Sequence, residues 1–426
     1  MSDWQQTTLD DPQAHAHRTV PIPLQGPNAS MSDWQQVTMG RLFSPDNTRL
    51  GPHTDEPIVM SLSKYDGFVR ADDYFDKRIA SEKLDGYKIV EPGEWAYSTI
   101  HIDEGSIARN NLGETGVISP MYTTLRWRGE RVALPEYAEL LVRSPRMLAE
   151  YTNNAQGSVN RRRSLPFKAF SAIGITLPPL PVQERIVEVI GTVDEKVVAL
   201  KVEADSLLRV RNAALGEMLS QGGDDWLSAP LSEAGTLIRG RRFVKSDYVE
   251  SGLGCIHYGQ IYTDYGASAT RTVTHLPESL RSSMRLAQHG DVVIAGTSEN
   301  VDDVGKAVAW LGDEGVAVHD DCFIFRHDLD PKFVSYFFAS PLFQHRKRQF
   351  TSETKVVRIS ATNLKKIVMP VPPRTEQQRI SGVATAMDAQ INALCDEAER
   401  LRQARAALVS GLLEHTIDIK SVELEV

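Results

Sequence analysis

The sequence predicts an α+β protein in which two mixed α/β globules alternate with two long α-helices, and the helices pair as an antiparallel coiled coil. Three observations predict this pseudo-two-fold internal repeat. The chain matches itself without a gap when Leu177 is laid on Val371, a shift of 194 residues. Each matching segment carries an apolar seam of coiled-coil spacing. Each is preceded by about 150 residues of short β-branched and aromatic runs broken by turn residues, the pattern of a mixed α/β globule.

The helices carry the strongest signal. Leu177-Pro178-Pro179-Leu180-Pro181-Val182-Gln183-Glu184-Arg185-Ile186 falls on Val371-Pro372-Pro373-Arg374-Thr375-Glu376-Gln377-Gln378-Arg379-Ile380. The match continues with Val193-Asp194 on Met387-Asp388, Leu200 on Leu394, Leu207 on Leu401, Arg211 on Arg405 and Leu219 on Leu413. Ile186, Val193, Leu200 and Leu207 mark one seam, and Ile380, Met387, Leu394 and Leu401 the other. A seam this long needs a partner helix of similar length, and the other copy is the obvious one. About 40 residues at 1.5 Å each make a helix of about 60 Å. The Pro pairs start the helices, and Gly222-Gly223 closes the first.

The order read from the sequence is a flexible extension over 1–30, a globule over 31–180, a helix over 181–221, a second globule over 222–373, a helix over 374–415 and a tail over 416–426. Met1-Ser2-Asp3-Trp4-Gln5-Gln6 recurs at Met31-Ser32-Asp33-Trp34-Gln35-Gln36, around a Pro-, Gln- and His-containing stretch without hydrophobic periodicity. The globules repeat loosely: Ile89-Val90-Glu91-Pro92-Gly93-Glu94 resembles Leu286-Ala287-Gln288-His289-Gly290-Asp291, and Ser144-Pro145 resembles Ser340-Pro341.

Composition narrows the function. Hydrophobic residues at 41% and charged residues at 24% are ordinary for a soluble globular protein, and no apolar run approaches the roughly 20 residues of a membrane span. Cys255, Cys322 and Cys395 are scattered, which argues against a disulfide framework or zinc site and fits a cytoplasmic protein. A net charge of −9 counts against a simple nucleic-acid binder, so positive charge must be local. Arg161, Arg162, Arg163 and Lys168, with Ser158 and Asn160 among them, precede the first helix. Arg346, Lys347, Arg348, Lys355, Arg358, Lys365 and Lys366 precede the second, and Arg239, Arg241, Arg242 and Lys245 surround Gly240. Such density can neutralise phosphates, with neighbouring polar side chains available to read bases. The same clusters could instead be solvated faces or docking patches of a protein-interaction scaffold that binds no DNA. Acids line the helices, Asp194 and Asp388 among them, where they are expected to face water or a partner.

Catalytic motifs are missing: the sequence has no D/N-P-P-Y/F tetrapeptide, no phosphate-binding G-x-x-x-x-G-K-S/T and no H-E-x-x-H. Glu353-Thr354-Lys355 lacks the second carboxylate that Mg²⁺ chemistry needs. His319-Asp320-Asp321 is expected to be structural, and no metal site is expected.

The doubled P-P-x(3)-Q-x-R-I at Pro178–Ile186 and Pro372–Ile380, with its long helices, resembles the specificity subunit of type I restriction–modification systems. Val59-Met60-Ser61-Leu62-Ser63-Lys64-Tyr65-Asp66-Gly67, Tyr87–Glu94 and Gly116–Pro120 add to the likeness, which extends from Trp34 to His415. It implies a non-catalytic, cytoplasmic subunit with two target-recognition domains, each reading one half of a split site in double-stranded DNA. It also implies helices that act as a ruler and as the dock for two modification methyltransferase subunits, with restriction/translocase subunits as further members. S-adenosylmethionine would belong to the methyltransferase partner, and ATP and Mg2+ to the restriction partner.

Overall fold

A computed structural model describes residues 34–52, 56–74, 83–157, 163–223, 225–351, 357–414, 416, 417 and 419. The extension expected over 1–30 lies outside them. The chain forms two compact units, Met1–Glu195 with Leu401–Val426, and Lys196–Arg400.

The first unit runs β1 (Gln35–Thr38), α1 (Met39–Leu42), β2 (Phe43–Asp46), β3 (Val59–Ser63), β4 (Gly67–Arg70), α2 (Ala71–Tyr74), β5 (Lys88–Val90), β6 (Trp95–Ser98), β7 (Ile107–Arg109), β8 (Gly116–Ile118) and β9 (Tyr122–Trp127). It continues through α3 (Pro135–Val142), α4 (Pro145–Asn154), α5 (Phe167–Ala172) and β10 (Gly174–Leu177) into α6 (Leu180–Ser220). Its sheets are ordered β2-β9-β6-β7 and β4-β3-β8-β5, beside a β1-β10 pair. Strand alternation explains how two cores share β6. Trp95 and Tyr97 face an aromatic cluster with Phe43 and Phe170, while Ala96 faces Met60, Phe68 and Ile118.

The second unit runs β11 (Leu227–Pro230), α7 (Leu231–Ala234), β12 (Thr236–Arg239), β13 (Leu253–Ile256), α8 (Tyr258–Thr263), β14 (Ser268–Ala269), β15 (Thr274–Leu276), β16 (Leu286–Ala287), β17 (Val292–Ala295), β18 (Thr297–Ser298), β19 (Ala307–Trp310), β20 (Val316–Val318) and β21 (Cys322–Arg326). It continues through α9 (Pro331–Ala339), α10 (Pro341–Lys347), β22 (Val357–Arg358), α11 (Ala361–Lys366) and β23 (Val368–Val371) into α12 (Arg374–Leu413). Its sheets are β12-β21-β17-β19-β14 and β15-β13-β20-β16, with β11-β23 and β18-β22 pairs.

The loose sequence repeat is a close topological one. The order β2-β9-β6-β7 recurs as β12-β21-β17-β19, and β1-β10 recurs as β11-β23. Parallel pairing of β3 with β8 recurs in β13 with β20. The Ser-Pro pairs start α4 and α10: Ser144 accepts from the Met147 N–H, Ser340 from that of Phe343, and each Pro takes the first turn.

Both long helices expected from the seams are present. In the first unit Ile186 and Ile190 of α6 share a core with Val409, Leu412 and Leu413 of α12. In the second, Leu215 and Leu219 of α6 share one with Ile380 and Ala384 of α12. Leu200 is buried, and Val193, Leu207, Met387, Leu394 and Leu401 are partly buried. The early part of α6 meets the late part of α12 in one unit, and the reverse holds in the other; this is antiparallel pairing. Asp194 and Asp388 do not face away as expected. Arg405 Nη2 donates to Asp194 Oδ2 at 2.8 Å, and Arg211 pairs with Asp388, which also accepts from the Tyr336 hydroxyl at 2.7 Å. The cause is the repeat: antiparallel pairing sets the Arg of each copy opposite the Asp of the other.

The glutamine of the doubled motif ties helix to globule. Gln183 Nε2 donates to the carbonyls of Val132 (2.9 Å) and Pro178 (2.7 Å), and its Oε1 accepts from the Leu134 N–H at 2.9 Å. Gln377 repeats two of these bonds, to the Pro372 carbonyl and the Asp330 N–H, both 2.8 Å. Both side chains are buried, where an unmade amide bond is costly.

Candidate nucleic-acid interface

In the second unit the basic residues gather where β12 ends. Gly240 follows Arg239 and crosses the loop between β20 and β21 so closely that a Cβ would lie 2.0 Å from the His319 carbonyl oxygen. Gly240 N–H donates to Cys322 and Arg241 N–H to Val318. His319 strengthens the joint: its Nε2 lies 2.9 Å from the Phe243 carbonyl, its Nδ1 accepts from the Asp321 N–H, and its ring meets that of Phe243 edge-on. Arg239 Nε donates to the Asp320 carbonyl at 2.8 Å, and Arg239 Nη2 lies 3.7 Å from the Asp320 carboxylate. Arg285 Nη1 donates to the Arg239 carbonyl at 2.6 Å. Arg241, Arg242 and Lys245 are exposed beside this joint.

An open cleft of about 800 Å³ lies alongside, lined by Arg239, Asp320, Asp321, Phe323 and Thr297 on one hand and by Gln349, Phe350, Thr351, Arg358, Ser360 and Asn363 on the other. Arg358 enters through the β18-β22 pair, opposite Thr297. It is exposed and has no carboxylate partner among the described residues. Guanidinium, hydroxyl, amide and aromatic groups in one open cleft are the donors, acceptors and stacking faces that nucleic acid can use.

The other candidates are dispersed. Arg348 and Lys365 are exposed. Arg346 turns inward: its Nη1 donates to the Val368 carbonyl at 2.5 Å, and burial lowers its pKa. Lys347 is buried, donating to the carbonyls of Asp302 (2.8 Å) and Val304 (2.7 Å), and burial pushes its ammonium down to about 8. These two residues fasten the fold instead of facing outward, because α10 buries its Phe343–Lys347 face. In the first unit Lys168 is exposed on α5, whereas Arg163 Nη2 donates to the Ala155 carbonyl at 2.8 Å. Ser158, Asn160, Arg161, Arg162, Lys355 and the Glu353-Thr354-Lys355 triplet lie outside the described residues.

His319, Asp320 and Asp321 bring one ligand-type atom each within 4.8 Å of the others: the imidazole, which also meets the Phe243 carbonyl, lies 3.3 Å from each carboxylate, and the second oxygen of Asp320 lies 3.7 Å from Arg239. The role of Asp320 beside Arg239 was not legible in the sequence, since it depends on the register of β12 against β21.

No family model matches the chain. It is 21% identical over 285 residues to the type I restriction enzyme MjaVIII specificity subunit of Methanocaldococcus jannaschii, covering 60% of this chain and 64% of that relative, just under two thirds of its length. A chain solved in work on complex assembly and conformational transition of the type I restriction–modification system matches with a TM-score of 0.55 and 20% identity, over 92% of this chain and 99% of that one. The specificity subunit from Thermoanaerobacter tengcongensis matches at 17% identity with a TM-score of 0.43, over 90% and 97% of the two chains. The resemblance read from the doubled motif therefore holds: the chain is similar in sequence to a type I specificity subunit and in fold to a chain from work on the type I restriction–modification system. No helix among the described residues is long and apolar enough to cross a membrane.

Proposed function

We propose that this chain is the DNA-reading specificity subunit of a cytoplasmic type I restriction–modification complex and does no catalysis itself. The observation that carries the reading is the open cleft of the second unit, where Arg239 and Arg358 meet hydroxyl and amide groups. The repeated topology and the similarity to specificity subunits support it. Each unit would read one half of a split site in double-stranded DNA, and the paired helices would dock two methyltransferase subunits and, beyond them, restriction/translocase subunits. S-adenosylmethionine would then be held by the methyltransferase, and ATP and Mg2+ by the restriction partner.

The test is methylation mapping in cells carrying or lacking the chain, together with DNA binding by the assembled complex across a salt series. The expected result is one bipartite methylated sequence that disappears with the chain, and an affinity that falls steeply with salt. Unchanged methylation together with salt-independent DNA affinity would instead identify a protein-interaction scaffold.

A further inference from the structure

Arg239 and Arg358 line one cleft, yet their surroundings differ in kind. Arg358 makes no ion pair among the described residues, as suits a cation meant for phosphate. Arg239 is held at Asp320: its Nε donates to the main-chain carbonyl at 2.8 Å, and its Nη2 lies 3.7 Å from the carboxylate, whose other oxygen lies 3.3 Å from His319 Nε2. Asp321 lines the same wall. A phosphate brought to Arg239 would be repelled by the two carboxylates, whereas a neutral base edge carries no net charge for them to repel. The side chain is nonetheless 61% exposed, so its guanidinium is oriented and still accessible.

Stereochemistry narrows the ligand. A guanidinium carries five N–H donors in a planar fork. With the Nε side turned to Asp320, the remaining donors lie on the end formed by Nη1 and the outer N–H of Nη2. Two parallel donors on one rigid edge match the O6 and N7 acceptors that guanine shows in the major groove, and no other base presents two acceptors side by side there. Gly240 fixes the approach, since any side chain at that position would collide with the His319 carbonyl.

We propose that Arg239 reads a guanine in the DNA half-site taken by the second unit, with Asp320 as its positioning residue. The inference rests on the reading of this chain as a DNA-binding subunit.

Once methylation mapping has given the target, the complete complex is titrated with duplexes altered one base pair at a time, using the native chain and the variants Arg239→Ala, Arg239→Lys and Asp320→Asn. The native complex should lose roughly 5- to 150-fold in affinity when one particular G·C pair is replaced. Arg239→Ala and Arg239→Lys should abolish that preference at that pair alone, because lysine cannot donate two parallel bonds from a rigid plane. Asp320→Asn, which keeps the main-chain carbonyl that accepts from Arg239 and loses only the negative charge, should bind non-target duplex more tightly, so that the ratio of target to non-target affinity shrinks. Uniform weakening of every duplex by Arg239→Ala, with the salt slope reduced by about 0.9, would make Arg239 a phosphate contact and overturn the proposal while leaving DNA reading intact. Unchanged discrimination at every position would overturn it as well. A native complex with no sequence preference would remove the DNA-reading assignment and this inference together, a result distinct from the other two.

Discussion

In each unit a crevice opens beside the equivalent strand ends, and the two crevices differ in chemistry. In the first unit the crevice holds about 400 Å³ and is lined by Ser61, Tyr87, Thr99, Ile100, His101, Ser119, Met121 and Tyr122. The Ser98–Tyr122 register there corresponds to Ala295–Cys322 under the larger cleft of the second unit. Met121 is 73% exposed and stands where the acidic His319–Asp321 loop runs in the other unit. One crevice thus offers hydroxyl and apolar groups, the other two arginines, of which Arg239 is braced at Asp320. A fold that keeps its strand order while changing the residues at equivalent strand ends can present two different surfaces from one repeated plan.

The largest expected effect tests whether the units are separately stabilised. Ile186 and Ile380 are repeat equivalents buried in different cores. Ile380→Asp should cost about 3–5 kcal/mol by burying an unpaired carboxylate, and Ile186→Asp about the same. Hydrogen exchange should rise across 196–400 in the first variant and across the other unit in the second. A rise across both units in either variant would break the comparison.

The two interhelix ion pairs should separate next. Asp388 and Arg211 are the less exposed pair, at 21% and 15%, and Asp388 also holds the Tyr336 hydroxyl. Asp194 and Arg405 are more open, at 48% and 31%. Asp388→Ala should therefore cost about 2–3 kcal/mol and Asp194→Ala less than about 1 kcal/mol, read from urea midpoints. Equal losses would show that burial does not set the difference.

Acid should distinguish the units as well. His327 follows β21, and burial lowers its pKa to about 4; its Nε2 is buried without a partner among the described residues, and strand register puts partly buried Trp127, which carries no titrating group, at the equivalent place in the first unit. Folding favours the neutral ring, so its contribution is intact above about pH 6.5 and is lost as pH falls towards 4. By pH 5 the loss should reach about 2 kcal/mol. Urea titrations at pH 7 and pH 5 should show His327→Gln less acid-sensitive than the native chain by that amount; equal sensitivity would remove His327 as the cause.

The smallest effect concerns the crevices themselves. Arg358→Ala should lower the salt slope of DNA binding by about 0.9 and weaken all duplexes alike, whereas Met121→Ala should change affinity without changing the slope. A slope change from Met121→Ala would mean that the two crevices do not divide their contacts by charge.

Much of this fold is written in the sequence because a repeat makes weak patterns visible twice. The seams of Ile186 and Ile380 announced paired helices, and even the ion pairs were legible in principle, since Asp194 and Arg211 recur as Asp388 and Arg405. The basic clusters were harder to read. Lys347 looks like a surface lysine, and its burial is set by α10 turning Phe343 and Lys347 to one side, four residues apart on a helix face. The Arg239–Asp320 contact joins residues 81 positions apart through strand register, which no local pattern reports.

Each long helix lends its ends to different cores, and synthesis on the ribosome must therefore complete the units out of order. Domains made first usually fold first. Here Val409, Leu412 and Leu413, which complete the core around Trp95 and Tyr97, emerge after every residue of Lys196–Arg400. The amino-terminal unit is begun first and sealed last. A nascent chain stalled near Arg400 would carry a second unit with all its residues and a first unit still lacking one wall, so premature termination close to the carboxyl terminus should damage the opposite end of the protein.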